Sequence, residues 1–161
     1  DFASDQVIKL KADRVYRYTR SRIKWHQDQG HKIIFISGSP DFLVSRMAEK
    51  YKATDYIGSK YFVEDGKMTG GVSPMWGSDS KDKALQYFID KHSIDMSKSY
   101  ANGDISMLKR VGFPIAINPS REMLHQLNLD DDLKKNTLVI IERKDVIYQV
   151  PTSVLHIEDC C

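Results

Sequence analysis

The stretch that decides the fold is NGDISMLKRVGFPIAINP, residues 102–119. Its polar turn, Asn102-Gly103-Asp104, follows the strand-like segment Ser99–Ala101 and leads into a short predicted helix, Ile105–Val111. Phe113–Ile117 is an apolar run that predicts another strand, closed by Asn118-Pro119. A carboxylate in a turn between a strand and a helix, with a second buried strand behind it, is typical of an α/β sheet.

The same alternation of helix and strand extends upstream of this stretch. Residues 8–29 have a helical pattern, with Gly30 as the predicted C-cap. Ile33–Ile36 is wholly apolar and predicts a buried parallel strand that stops at Ser37-Gly38-Ser39-Pro40. Asp41 is the predicted N-cap of a helix over Phe42–Tyr51. The side chains predicted to face inward from that helix are Leu43, Val44 and Met47.

The rest of the chain completes the pattern. Asp65-Gly66 between two strand-like runs, Tyr56–Val63 and Met68–Val72, indicates a hairpin. The other predicted elements are a helix to His92 capped by Asp79 or Ser80, a helix from Ser120 through Leu127, and strands over Thr137–Ile141 and Val146–Val150. This order predicts one α/β domain over residues 1–161, with a mostly parallel sheet and helices on both faces.

The composition excludes several classes of protein. A formal net charge of +2 gives no basis for a general nucleic-acid binder. No apolar run reaches the length of a membrane span, so we expect no membrane partner. The two cysteines, Cys160 and Cys161, are adjacent and cannot form a disulfide framework or a thiolate zinc site within one chain. A reducing, cytoplasmic location is therefore expected.

Three predicted loops at strand ends contain residues suited to phosphate chemistry. Ser37-Gly38-Ser39 offers a hydroxyl and backbone N–H groups to an anion. Lys81, near a helix start, can offset the charge of a phosphoryl group. Asp104 can hold a hard divalent cation such as Mg²⁺. Taken separately, each stretch is more often a plain turn or a solvated helix start; their order after predicted strands favours a common site.

Together these stretches resemble the motifs of haloacid dehalogenase-like (HAD) phosphatases. Ile33–Pro40 resembles the second motif, a hydrophobic strand ending in Ser or Thr, and Lys81–Leu85 resembles the third. Residues 102–119 closely resemble the fourth motif and its following strand in the phosphoserine-phosphatase-like branch. The resemblance covers about Val7 to Val150 and implies a Rossmann-like three-layer core, with most of the cap domain absent from this sequence.

The resemblance also implies a mechanism. An Asp nucleophile attacks a small phosphomonoester and forms an aspartyl-phosphate, which water then hydrolyses. On this sequence Ser37 and Lys81 take catalytic roles, Ser37, Gly38 and Lys81 bind the substrate phosphate, and Asp104 holds the Mg²⁺ cofactor. The implied enzyme is a Mg²⁺-dependent phosphoric monoester hydrolase acting on a phosphoserine-like substrate.

Two departures from the family pattern leave alternatives open. Asp1–Asp5 does not match the Asp-x-Asp nucleophile motif, and the fourth motif contains only its second acidic residue, Asp104. Unseen residues before Asp1 and between Ala101 and Asn102 would explain both. The rival interpretation is a non-catalytic phosphate- or metabolite-binding module on a decayed core. A phosphomutase or phosphonatase activity on the same core is a third interpretation.

Overall fold

The computed structural model describes residues 5–6, 15–74, 77–143 and 146–155. The chain divides into two compact units, Asp1–Leu85 and Gln86–Cys161. Among the described strands, three belong to a sheet of the first unit and four to a sheet of the second. That both units form a single domain stays a prediction.

The first unit alternates helices and strands. Its elements are α1 (Arg17–Asp28), β1 (Ile34–Pro40), α2 (Asp41–Lys50), β2 (Asp55–Glu64), β3 (Lys67–Ser73) and the first half of α3 (Ser78–His92). The strand order is β1-β2-β3, with β1 and β2 parallel and β2 and β3 antiparallel. Asp65 and Gly66 have φ of 47° and 75°, the left-handed geometry that a tight hairpin turn requires. The predicted hairpin is therefore confirmed.

The predicted helix starts of this unit need correction. Pro40, with φ −52° and ψ 137°, is the N-cap of α2, so the predicted cap Asp41 is already its first helical residue. The Asp41 carboxylate instead accepts a hydrogen bond from the Phe42 N–H at 2.8 Å. The helix buries Val44, as predicted, and also Ala48, whereas Leu43 and Met47 are only half-buried.

Helices α3 and α1 also differ from their predicted bounds. α3 begins at Ser78, so the predicted caps Asp79 and Ser80 both lie within its first turn. Residues 8–14 of the predicted first helix lie outside the described part of the chain, and α1 is described from Arg17.

The second unit continues the alternation. Its elements are β4 (Tyr100–Asn102), α4 (Ile105–Leu108), β5 (Phe113–Ile117), α5 (Arg121–Leu129), α6 (Asp131–Asn136), β6 (Leu138–Arg143) and β7 (Val146–Pro151). The sheet order is β4-β5-β6-β7, and the final pairing is antiparallel. Its core contains Leu108, Ala116, Leu127, Leu133 and Val139, each at most 4% exposed. The α/β fold class is confirmed, since three of the five strand pairings described are parallel.

Local capping explains where the helices of this unit begin. The Ser120 side chain accepts a hydrogen bond from the Met123 N–H at 3.2 Å, which confirms the predicted cap of α5. Asp130 caps α6 in the same way, through the Leu133 N–H at 3.0 Å. The sequence patterns did not predict α6, because Asp130-Asp131-Asp132 resembles a polar loop as much as a helix start.

Candidate functional site

Ser37 and Gly38 lie on a bulge in β1. Ile36 pairs with Ile57 on β2, and the next described pair is Pro40 with Ser59. Three residues of β1, Ser37 to Ser39, therefore lie opposite the single residue Gly58. The strand was predicted to stop at Ser37, but pairing resumes at Pro40. The reason is the register: a bulge takes up the extra residues without ending the ladder.

The neighbouring strand fixes the backbone of this bulge. A Cβ at Gly58 would lie 2.8 Å from the Asp41 Cα and 2.8 Å from the Ser39 carbonyl oxygen, closer than side-chain carbons approach backbone atoms. Ser59, next along β2, is fully buried, and its hydroxyl donates to the Gly38 carbonyl at 2.8 Å. Gly58, which has no side chain, and the buried hydroxyl of Ser59 thus hold the backbone of the bulge in place.

The Ser37 side chain is held within the bulge. Its hydroxyl oxygen accepts a hydrogen bond from the Ser39 N–H at 3.1 Å, and the residue is half-buried while Ser39 is exposed. The hydroxyl proton of Ser37 thus stays available to donate to an anion. The adjacent N-terminus of α2 favours negative charge, although the Asp41 carboxylate in its first turn offsets part of that effect.

Lys81 lies in the first turn of α3. Its backbone N–H donates to the Gly77 carbonyl at 3.3 Å, and its side chain is half-buried. Leu85, four residues on, is 8% exposed, so Lys81 follows the buried edge of the helix. The exposed Lys83 lies on a different face of the same turn. A phosphate-binding role for Lys81 stays a prediction.

Asp104 is the N-cap residue of α4, two residues after the end of β4. Its φ of −70° and ψ of 160° suit a cap, yet its side chain makes no capping hydrogen bond. The carboxylate is exposed. Oxygen is the donor that Mg²⁺ prefers, and Mg²⁺ often binds to one or two carboxylates and completes its shell with water and phosphate oxygens. The chemistry of Asp104 therefore fits such an ion.

The described residues offer Asp104 few protein partners for binding a metal ion. Within residues 5–6, 15–74, 77–143 and 146–155, no group of three His, Cys, Asp or Glu side chains is positioned to hold a metal. Binding of Mg²⁺ by Asp104 therefore stays a prediction. Water or substrate oxygens would be the remaining ligands.

The structure brings together part of the predicted site. Ser37 and Gly38 are neighbours on one bulge, whereas Lys81 and Asp104 lie on other elements, and their convergence with Ser37 stays a prediction. Sequence reasoning missed Gly58 and Ser59. Their signal was a Gly-Ser pair inside a strand-like run, since a glycine within a strand often marks close approach of another backbone.

The chain is similar to known hydrolases and phosphatases. Residues 3–107 match the family model of haloacid dehalogenase-like hydrolases, well over half of the chain. Among solved structures, a phospho-aspartyl intermediate analogue of phosphoserine phosphatase is similar, with a TM-score of 0.59 and 26% identity. That match covers 78% of this chain and 58% of the other.

Two curated relatives are similar to this chain at under 30% identity. A phosphoserine phosphatase of Methanocaldococcus jannaschii is 29% identical over 99 residues, covering 58% of this chain and 47% of the relative. The inhibition of morphological differentiation protein of Streptomyces azureus is 28% identical over 114 residues, covering 68% of this chain and 41% of the relative. The chain thus spans less than half the length of these two relatives.

Among the helices in the described part of the chain, none has both the length and the apolar character needed to cross a bilayer.

Proposed function

The chain belongs to the haloacid dehalogenase-like hydrolase family, and we propose that the protein hydrolyses a small phosphomonoester in a Mg²⁺-dependent reaction through an aspartyl-phosphate. The single observation that carries the proposal is the bulge at Ser37–Ser39, fixed by Gly58 and Ser59 at the carboxyl end of a parallel strand. Ligands of open α/β sheets bind at that end of the strands. The similarity to phosphoserine phosphatases favours a phosphoserine-like substrate.

Each residue of the proposed site has one task. The Ser37 hydroxyl donates a hydrogen bond to a phosphoryl oxygen, and the Gly38 backbone lets that oxygen approach closely. The Lys81 ammonium neutralises negative charge that accumulates on the transferring group. Asp104 would hold Mg²⁺, which when bound shields the phosphate oxygens from the attacking carboxylate.

The nucleophile is proposed to come from a part of the protein outside these residues. No stretch of the printed sequence matches the family's nucleophile motif. In the described sheet, with the order β1-β2-β3, β1 is an end strand. Its residues Ile34, Phe35 and Ile36 are all apolar. Wholly apolar parallel strands usually lie inside a sheet with a neighbour on both edges. A further parallel strand along β1 would place a carboxylate at its end beside the Ser37 bulge.

One observation favours a second candidate function. The fourth motif contains Asp104 but not the acidic residue that usually precedes it, and β4 runs directly from Asn102 through Gly103 to this cap. A core that lacks this acidic residue as well as the nucleophile motif would bind phosphate esters and not hydrolyse them. We propose this binding module as the alternative to the phosphatase.

Turnover distinguishes the two candidates. The full-length protein is assayed with p-nitrophenyl phosphate, phosphoserine and other small phosphomonoesters, with and without Mg²⁺. The phosphatase proposal expects release of inorganic phosphate that chelation with EDTA abolishes and added Mg²⁺ restores. Saturable binding of the same esters without phosphate release would support the binding module. Transfer of phosphate within the substrate would indicate a mutase.

A further inference from the structure

Two histidine rings meet at the end of β1 opposite to the Ser37 bulge. His26 lies in the last turn of α1, and His31 lies in the segment that leads into β1. Their Nδ1 atoms are 3.0 Å apart, and their ring planes differ by 48°. One Nδ1 must carry a proton and the other must accept it, since two bare nitrogen lone pairs would repel at this distance.

A tryptophan and an arginine surround the pair. The Trp25 ring lies edge-on to both imidazoles, with centroids 4.8 Å from His26 and 5.6 Å from His31. The Arg22 guanidinium lies over the Trp25 ring, 4.4 Å from its centroid. Burial, then the Arg22 charge, then His31 lower the pKa of His26.

We propose that His26 and His31 form a bis-imidazole site for a divalent transition metal of the Zn²⁺, Ni²⁺ and Cu²⁺ class. Metal–imidazole bonds are about 2.0–2.1 Å long, so two nitrogens on one such ion lie about 2.9–3.4 Å apart. The Nδ1 atoms already have this separation. When an ion binds, the donor ring changes tautomer: its Nδ1 proton passes to solvent and its Nε2 takes up another, so both rings stay neutral and present Nδ1 lone pairs to the metal.

The chemistry of the pair sets the class of metal. Imidazole suits Zn²⁺, Ni²⁺ and Cu²⁺, whereas Mg²⁺ and Ca²⁺ prefer oxygen. Since no third His, Cys, Asp or Glu joins the pair among the described residues, water would complete the shell and the ion would exchange readily. His31 is exposed, so the ion can enter from solvent.

This site is separate from the proposed phosphatase centre. His31 and Ser37 are six positions apart along the extended chain that leads into β1, a span of roughly 15–20 Å. A metal at the histidines would thus lie too far away to touch a phosphate at Ser37. Its binding can be measured without any turnover, and its failure would leave the proposed function untouched.

Quenching of Trp25 fluorescence by Cu²⁺ tests the proposal. The untagged chain is prepared with Trp76→Phe, so that Trp25 is the single tryptophan, and with Cys160→Ser and Cys161→Ser, because adjacent thiols also bind copper. Excess Mg²⁺ is present to occupy oxygen sites. We expect saturable quenching by one equivalent of Cu²⁺, reversed by EDTA, because both rings contact Trp25.

Three further variants decide the ligands. His31→Ala and His26→Asn should each raise the half-quenching concentration by roughly tenfold or more, because a two-point ligand becomes a one-point ligand. The matched control His125→Ala, at an exposed histidine on α5, should leave it unchanged. Circular dichroism checks that each variant is folded. Identical curves for the parent and His31→Ala, or an equal shift in His125→Ala, would overturn the proposal.

Discussion

Replacing Lys81 by alanine is expected to lower kcat by roughly 10²–10³-fold, the loss typical for one preorganised group that stabilises transition-state charge. Lys81 is half-buried in the first turn of α3, four residues before the buried Leu85, and its ammonium is the proposed contact to the phosphoryl group. The measurement is steady-state release of phosphate by the full-length variant with Mg²⁺ present.

The chain offers a matched control two residues away. Lys83 lies in the same turn but is exposed, so Lys83→Ala should retain full turnover. Asp104→Asn keeps the size of the side chain and removes the charge that would hold Mg²⁺, so it should also lose activity and require more Mg²⁺ for what remains. Full activity in both Lys81→Ala and Asp104→Asn would show that the site is wrongly assigned.

Replacing Gly58 by alanine is expected to damage both stability and catalysis. The added methyl group would lie 2.8 Å from the Ser39 carbonyl oxygen and 2.8 Å from the Asp41 Cα, so the bulge must shift. Overpacking of this kind costs about 1–3 kcal/mol of unfolding free energy. Because the same shift moves the Ser37 hydroxyl, we expect kcat to fall at least about tenfold at temperatures where the variant is fully folded.

Gly77→Ala is the control for that substitution, because a Cβ there meets no atom within 4 Å. It should change neither the midpoint of thermal unfolding nor kcat to a comparable extent. Two results would contradict a positioning role for Gly58: unchanged turnover in Gly58→Ala, or a loss of turnover that disappears once the fraction of folded protein is taken into account.

Elements with strong local signals could be predicted from the sequence. Asp65-Gly66 requires left-handed backbone at two successive residues, and few pairs adopt it as readily. The Ser120 hydroxyl accepts a hydrogen bond from Met123, only three residues on, so the local sequence suffices to identify this helix cap. The strand over Ile34–Pro40 was recognised from its apolar run, though not its continuation through Ser37.

Features that depend on distant packing could not be predicted. The need for glycine at residue 58 arises from Ser39 and Asp41, which are nearly twenty positions away in sequence and meet it only in the folded sheet. The inward face of α2 was predicted only in part, because the packed helix buries Val44, as expected, together with Ala48 and leaves Leu43 and Met47 half-buried. Ser59 likewise acquires its role only in the folded sheet, where its hydroxyl donates to the Gly38 carbonyl.

The most direct test of the central claim is capture of the covalent intermediate. Full-length protein is mixed with ³²P-labelled phosphoserine and Mg²⁺, quenched in acid within one turnover, and separated from free phosphate. An aspartyl-phosphate predicts label on the protein that resists acid and is released by hydroxylamine. It also predicts that unlabelled substrate added after mixing chases the label into inorganic phosphate. Protein that binds phosphoserine yet acquires no label at any quench time would contradict the account.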